Sequence, residues 1–312
     1  MKSEKIQYRT YQNIHDFLFM TSVLALGRKT SPLAYYVHIG DLSWWMFYSE
    51  EDLSQWKERI KLWEFEGRLC GWSLIDPLWE SFDLFLLPEI CSTEQAQDIL
   101  DRTITQAEEI MKKNQSNRIR TFWVSESDQD LIRNLQERGF SCEDHFMWYL
   151  EHPLKQPIQS SKLPMGFVIH PVRDEKDAIQ RATASHSAFE SKKTTRDYWL
   201  RYQRFMRSPV YNPNCDLVSK TPNGQVASFC TIWPDPVSHI GLFEPVGTHK
   251  KFQGQGLGKA IVLAGLQQLQ SWGMKSAMVC IGNDNHPAEE MYLGLGFKPK
   301  IKLYTYTKHI QV

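Results

Sequence analysis

Two Asp-Pro turns, Asp76-Pro77 and Asp235-Pro236, lie 159 residues apart in a chain of 312 residues, and two Gly-Phe pairs, Gly139-Phe140 and Gly296-Phe297, lie 157 apart. A hairpin pattern precedes each Asp-Pro: Arg59 to Glu66 with Arg68 to Ile75, and Cys215 to Lys220 with Gln225 to Trp233 around the turn pair Asn223-Gly224. Strand, helix, strand, helix and Gly-Phe follow each one. One order at one spacing is read as two copies of one fold, and the length also favours two domains. Between the copies Glu151 to Pro164 holds three prolines and almost no apolar residue, a linker by composition. The expected domains are 1–150, a linker 151–164 and 165–312, each an α/β alternation of strands and helices.

The second copy carries a loop fit for chemistry. The strand-like run Ile240 to Val246 leads towards Gln253-Gly254-Gln255-Gly256-Leu257-Gly258. A helical run, Lys259 to Trp272, follows with Ile261, Val262, Leu266 and Leu269 at the 3.6-residue period. Backbone N–H groups at a helix start lack internal partners, and the helix dipole adds partial positive charge. Glycines let phosphate oxygens approach that backbone closely. The stretch predicts a pyrophosphate cradle. It is not a Walker loop, because Gly258-Lys259 is followed by Ala260. It is not a dinucleotide fingerprint either, since Gly254, Gly256 and Gly258 are spaced two by two and lie late in the chain.

The loop resembles the acetyl-CoA loop of the Gcn5-related N-acetyltransferase (GNAT) family, Q/R-x-x-G-x-G/A, at Gln253, Gly256 and Gly258. A second family segment, N-x-x-A-x-x-x-Y-x-x-x-G-F, is matched by Asn285, Ala288, Tyr292, Gly296 and Phe297. The resemblance implies two tandem domains of α/β (α+β) class, each a mixed, mostly antiparallel sheet flanked by helices. It implies acetyl-CoA as acyl donor, an amine acceptor, direct attack in a ternary complex and no metal. The first copy resembles the family in architecture only. Leu87-Pro88-Glu89-Ile90-Cys91-Ser92-Thr93-Glu94 stands where the loop belongs, and its acids would repel a diphosphate. Asp128 and Leu135 stand where the second copy has Asn285 and Tyr292. A degenerate first copy would stabilise the second or shape the acceptor site.

Amide formation from a thioester requires a deprotonated amine, a polarised carbonyl and a protonated leaving thiolate. The resemblance gives Tyr292 the role of acid. Glu244, a carboxylate interrupting the apolar run Ile240 to Val246, is the candidate base, with His239 and His249 as alternatives. The resemblance also implies that Val246 and Thr248 pair with the pantetheine arm. It places the phosphates on the backbone of Gln253, Gly254, Gln255, Gly256, Leu257, Gly258 and Lys259. Lys250, Lys251 and Lys259 would add positive charge, and Asn285 would contact the pantetheine or cap a helix. Acceptor specificity is expected from Ala184 to Pro213, where His186, Tyr198, Trp199, Tyr202 and Tyr211 lie. Eight of the eleven tryptophans fall in the first half and are read as core or inter-domain packing.

Lys+Arg and Asp+Glu both number 36, so no global charge points to nucleic acid or an anionic membrane. The six cysteines are scattered without metal-ligand spacing. No apolar run reaches a membrane span, and the polar opening Met1 to Lys5 does not read as a signal peptide. A cytoplasmic protein with a small-molecule amine acceptor is expected. A non-catalytic acyl-CoA sensor is the other reading.

Overall fold

A computed structural model describes residues 6–31, 34–48, 53–160 and 162–311. Met1 to Lys5, the polar opening, lie outside the described residues.

The first half runs β1 (Gln7–Thr10), α1 (Ile14–Thr30), α2 (Ile39–Tyr48), α3 (Trp56–Arg59), β2 (Ile60–Phe65), β3 (Arg68–Asp76), β4 (Ser81–Leu86), α4 (Pro88–Cys91), α5 (Glu94–Lys113), β5 (Arg118–Ser125), α6 (Gln129–Glu137) and β6 (Ser141–Pro153). The second runs β7 (Val168–Pro171), α7 (Glu175–Ala188), α8 (Thr195–Phe205), β8 (Asp216–Lys220), β9 (Val226–Asp235), β10 (Ile240–Thr248), α9 (Leu257–Ser271), β11 (Ser276–Gly282), α10 (His286–Gly294) and β12 (Lys298–His309). The stretch Leu42 to Tyr48 is helix: Leu42, Met46 and Phe47 turn one face inward. Helix α1 continues to Thr30. Gly27 lies within α1 against Tyr36, so close that a Cβ there would sit 2.3 Å from the ring.

Among the described residues, twelve strands join one sheet in the order β1-β2-β3-β4-β5-β12-β6-β11-β10-β9-β8-β7. Read from either edge, five strands of one half are followed by the closing strand of the other. Thus β6 pairs with β11 from Ser276↔Pro153 to Gly282↔Met147, while β12 pairs with β5. The halves have exchanged their last strands, and neither closes its sheet alone. An edge left open would expose a row of unpaired N–H and C=O groups.

The exchange corrects the expected linker. Glu151 to Pro153 are the end of β6, paired to Met278, Ala277 and Ser276. Leu154 is buried, and its N–H donates to the Lys275 carbonyl at 2.9 Å. Further on, Gln267 and Gln270 of α9 donate to the carbonyls of Ile158, Leu154 and Gln156. Prolines remove donors without removing acceptors, so a proline-spaced strand can still dock on a polar helix face. The first-half tryptophans divide: Trp56, Trp63 and Trp72 are fully buried, whereas Trp79 is exposed.

Ile261, Val262, Leu266 and Leu269 of α9 are completely buried on the sheet. Gly265 makes this contact close, since a Cβ there would meet Phe243 at 2.6 Å. This packing aims the start of α9 at the gap between β10 and β11.

Candidate active site

The glycine loop forms as a turn whose backbone is free. A short 3-10 turn, Lys250–Phe252, leads into it, and Gly256 is the N-cap of α9. Gly254 and Gly256 have φ +76° and +77°, in the left-handed region that side chains disfavour. A Cβ at either would meet nothing within 4 Å, so the space above them is open. Ala260 is the first residue of the helix whose N–H is claimed, by the Gly256 carbonyl. Among the described residues, the N–H groups from Gly254 to Lys259 find no acceptor. No side chain caps the helix and no acid stands in its first turn. The four N–H groups of the helix start, Gly256 to Lys259, and the positive end of a dipole remain for an anion. Leu257 and Ala260 are buried anchors, and the Gln253 amide reaches back to the Thr248 carbonyl at 3.3 Å.

The cleft beside it comes from two strands that part. β10 and β11 are parallel partners only at Ile240, Gly241 and Leu242, against Ser276, Ala277 and Met278. Beyond them β10 stays with β9, where Glu244 and Pro245 together oppose Thr231 in a bulge. Val246, Gly247 and Thr248 then pair with Cys230, Phe229 and Ser228, leaving their other edge to the gap. These open edges suit an extended arm that pairs as an added strand.

Glu244 projects from that bulge. It is half-buried, and its carboxylate has no hydrogen bond or ion pair among the described residues. Burial first, and then the charge of Asp41, push its pKa up to about 8, while Arg181 draws it down. Tyr292, on α10, is buried against Phe297 with ring centroids 5.2 Å apart. Burial, then Glu244 and Cys230, raise its phenol above the ordinary range, so it stays protonated. Gly258 touches both elements, since a Cβ there would lie 3.2 Å from Met291 Sδ and 3.4 Å from Thr248 Oγ1. Loop, β10 edge and α10 therefore meet at one mouth.

The other expected residues take varied places. Asn285 caps α10, accepting from the Ala288 N–H at 3.4 Å. His249 caps the 3-10 turn through Nδ1 at 3.1 Å from the Lys251 N–H, so that nitrogen is occupied as an acceptor. His239 lies in the β9–β10 turn, at the end of β10 away from the glycine loop, and its carbonyl accepts from Lys275. Neither histidine sits with Glu244. Lys250 pairs with Glu190 at 2.7 Å on the surface, where such a pair contributes little. Lys251 and Lys259 are exposed beside the loop. In the acceptor region Tyr202 and Tyr198 are buried, and Tyr202 donates to Asp216 at 2.7 Å. Tyr202 is thus a core hydrogen-bond donor rather than a pocket wall.

The equivalent mouth in the first half is filled. β4 meets β5 only at Ser81↔Arg120, so the strands part there too. Into that gap Tyr36 places its hydroxyl, donating to the Leu86 carbonyl at 2.7 Å and touching Cys91 Sγ at 3.2 Å. The first half also packs against the second half's cleft, through residues that the sequence did not single out. Tyr35 meets Cys280 of β11, Oη to Sγ at 3.2 Å, and α2 packs on α8, β9 and β10. The signal was weak: a lone Asp and Tyr beside an aromatic run carry no motif.

A family model, Acetyltransferase (GNAT) family, matches residues 180–297. The chain is 31% identical over 149 residues to the mycothiol acetyltransferase of Pseudarthrobacter chlorophenolicus, covering 45% of each. To that of Saccharopolyspora erythraea it is 25% identical over 247 residues, covering 74% of this chain and 79% of the relative. The chain spans about half the length of the first curated relatives it matches. Among solved structures, a tandem GNAT protein from the clavulanic acid biosynthesis pathway superposes with TM-score 0.71 at 14% identity, covering 99% of both chains. Residues 180–297 thus match the acetyltransferase (GNAT) family, and the two halves of the chain have the fold of a tandem GNAT protein.

Proposed function

We propose that this chain moves an acetyl group from acetyl-CoA to the amine of a small molecule, by direct attack in the second half's cleft. The observation that carries the reading is the start of α9, with N–H groups unclaimed from Gly254 to Lys259, opening on the gap that holds Glu244 and Tyr292. The cradle fits a diphosphate: open space above Gly254 and Gly256, donors converging, no acid in the first turn. Val246 and Thr248 would hold the pantetheine arm along the free edge of β10, and Asn285 would stand at its far side. The curated relatives named mycothiol acetyltransferase support a small-molecule acceptor.

The bound thioester supplies an activated acyl carbon. Glu244 takes the proton from the incoming ammonium, the C–N bond forms, the C–S bond breaks, and Tyr292 donates to the departing sulfur. A base whose pKa is about 8 is matched to work near neutrality. Titration calorimetry with acetyl-CoA, followed by thiol release over a panel of small amines, tests the reading. Saturable binding with amine-dependent release is expected. Binding without release from any amine would leave a sensor, and no binding would remove the cradle.

Glu244→Gln is expected to slow release by on the order of 10²-fold and to abolish the rise of kcat/KM with pH near 8. Stability should run the other way. A carboxyl raised in the folded state stabilises fully below its unfolded value, and that stability is lost as pH rises through about 8. Thermal melts should therefore show Glu244→Gln more stable than the parent at pH 9 and equal to it at pH 4. An unchanged pH–rate profile would exclude Glu244 as base.

A further inference from the structure

We propose that Asp41, from the first half, is the second carboxylate of the acceptor pocket, and that the acceptor is a small amine bearing a second cationic group. This rests on the acetyl-transfer reading and names its substrate class. Asp41 stands in the first turn of α2, and its chain neighbours are tied to the strands on both sides of Glu244. Gly40 packs so tightly on Trp233 that a Cβ would lie 2.5 Å from its ring, and Trp233 Nε1 donates to the Glu244 carbonyl at 2.7 Å. His38 Nε2 bonds the Ile240 carbonyl at 3.2 Å. Tyr35 reaches Cys280 on β11 at 3.2 Å. The packing of α2 on β9 and β10 thereby holds Asp41 within electrostatic reach of Glu244.

The charges there do not balance. Around Glu244 stand Asp41 from α2, Arg181 from α7, Cys280 from β11 and Tyr292 from α10. Arg181 already serves Asp216, Nε to Oδ1 at 3.3 Å, and donates to Thr231 Oγ1. Asp41 accepts from the His38 N–H through Oδ2 at 2.7 Å, and its other oxygen has no partner among the described residues. The Glu244 carboxylate has no hydrogen bond or ion pair among the described residues. Both carboxyls lie above the usual range, Asp41 at about 6 through burial and Glu244 at about 8. Near pH 8 Asp41 is ionised and Glu244 partly so, and both are short of a cation because Arg181 serves Asp216. An amine with two ammonium groups meets that demand: one gives its proton to Glu244 and reacts, and the other stays charged on Asp41.

The ordinary role of Asp41 is half of a capping box, accepting from the N-cap N–H. Asparagine keeps that acceptor and removes the charge, so Asp41→Asn separates the two roles. The probes are 1,4-diaminobutane and butylamine, titrated calorimetrically into the protein with and without coenzyme A. The parent should bind the diamine about tenfold more tightly, since a tenfold gap is a modest charge-assisted contact. Asp41→Asn should erase that gap while melting temperature and coenzyme A affinity hold, and Asp41→Glu should restore part of it. In the unmodified protein the gap should also close between pH 8.5 and pH 5, as Asp41 protonates. No preference in the parent, or one that survives both Asp41→Asn and pH 5, overturns the proposal. Failure of coenzyme A to bind overturns the acetyl-transfer reading instead, because the amine preference is read without it.

Discussion

Tyr292→Phe releases coenzyme A on the order of 10²-fold more slowly at saturating substrates, while acetyl-CoA binds within about twofold of the parent. The split follows from where the phenol sits. Its ring is buried in the core of α9, β10 and β11, and phenylalanine refills that volume without a cavity. The hydroxyl makes no hydrogen bond to the described residues, so its removal orphans no partner. Folding therefore has little to lose, and the thermal melt should stay within a few degrees. What is lost is a donor held neutral at the point where negative charge grows on sulfur. Burial raises the phenol, so full proton transfer to a thiolate runs uphill and the hydroxyl acts mainly as a hydrogen-bond donor. The deficit should therefore shrink with acyl thioesters whose thiols are more acidic, because these need less help to leave. Equal turnover of mutant and parent on acetyl-CoA would remove Tyr292 from the chemistry.

Much of this site was legible in the residues. Gly254 and Gly256 were readable because a left-handed backbone leaves almost no alternative to glycine, and the period of α9 was readable because Ile261, Val262, Leu266 and Leu269 must share a face. The repeat was readable because turns depend on local chemistry. Long-range exchange was not. A last strand reads alike whether it closes its own sheet or its neighbour's, since both offer the same ladder and the same buried face. For that reason Glu151 to Pro153 passed as linker, although they pair across β11. Asp41 was hidden for a related reason. Its local pattern is that of a helix cap, and only the packing of α2 against β10 carries it to Glu244. His239 and His249 erred in the opposite direction: both lie close to the site along the chain, and the turns that hold them keep them away from Glu244.

Gly256→Val weakens acetyl-CoA binding by at least about tenfold, corresponding to the loss of one or two charge-assisted backbone contacts. The cause is conformational rather than steric. A Cβ at Gly256 has nothing within 4 Å, yet φ is +77°, where a β-branched residue is strongly disfavoured. The variant either endures that strain, of order 1–3 kcal/mol, or relaxes φ and turns the N–H groups away from their common focus. Gly224 supplies a matched control. It has φ +80° in the β8–β9 hairpin, and a Cβ there also meets nothing within 4 Å. Gly224→Val should lower the melting temperature by a similar amount and leave acetyl-CoA affinity intact. If both variants lose stability alike and only Gly256→Val loses the ligand, the loss belongs to the cradle and not to a weakened fold. If the two bind acetyl-CoA equally well, the diphosphate does not rest on the start of α9, and neither Glu244 nor Tyr292 is placed to meet the acyl group.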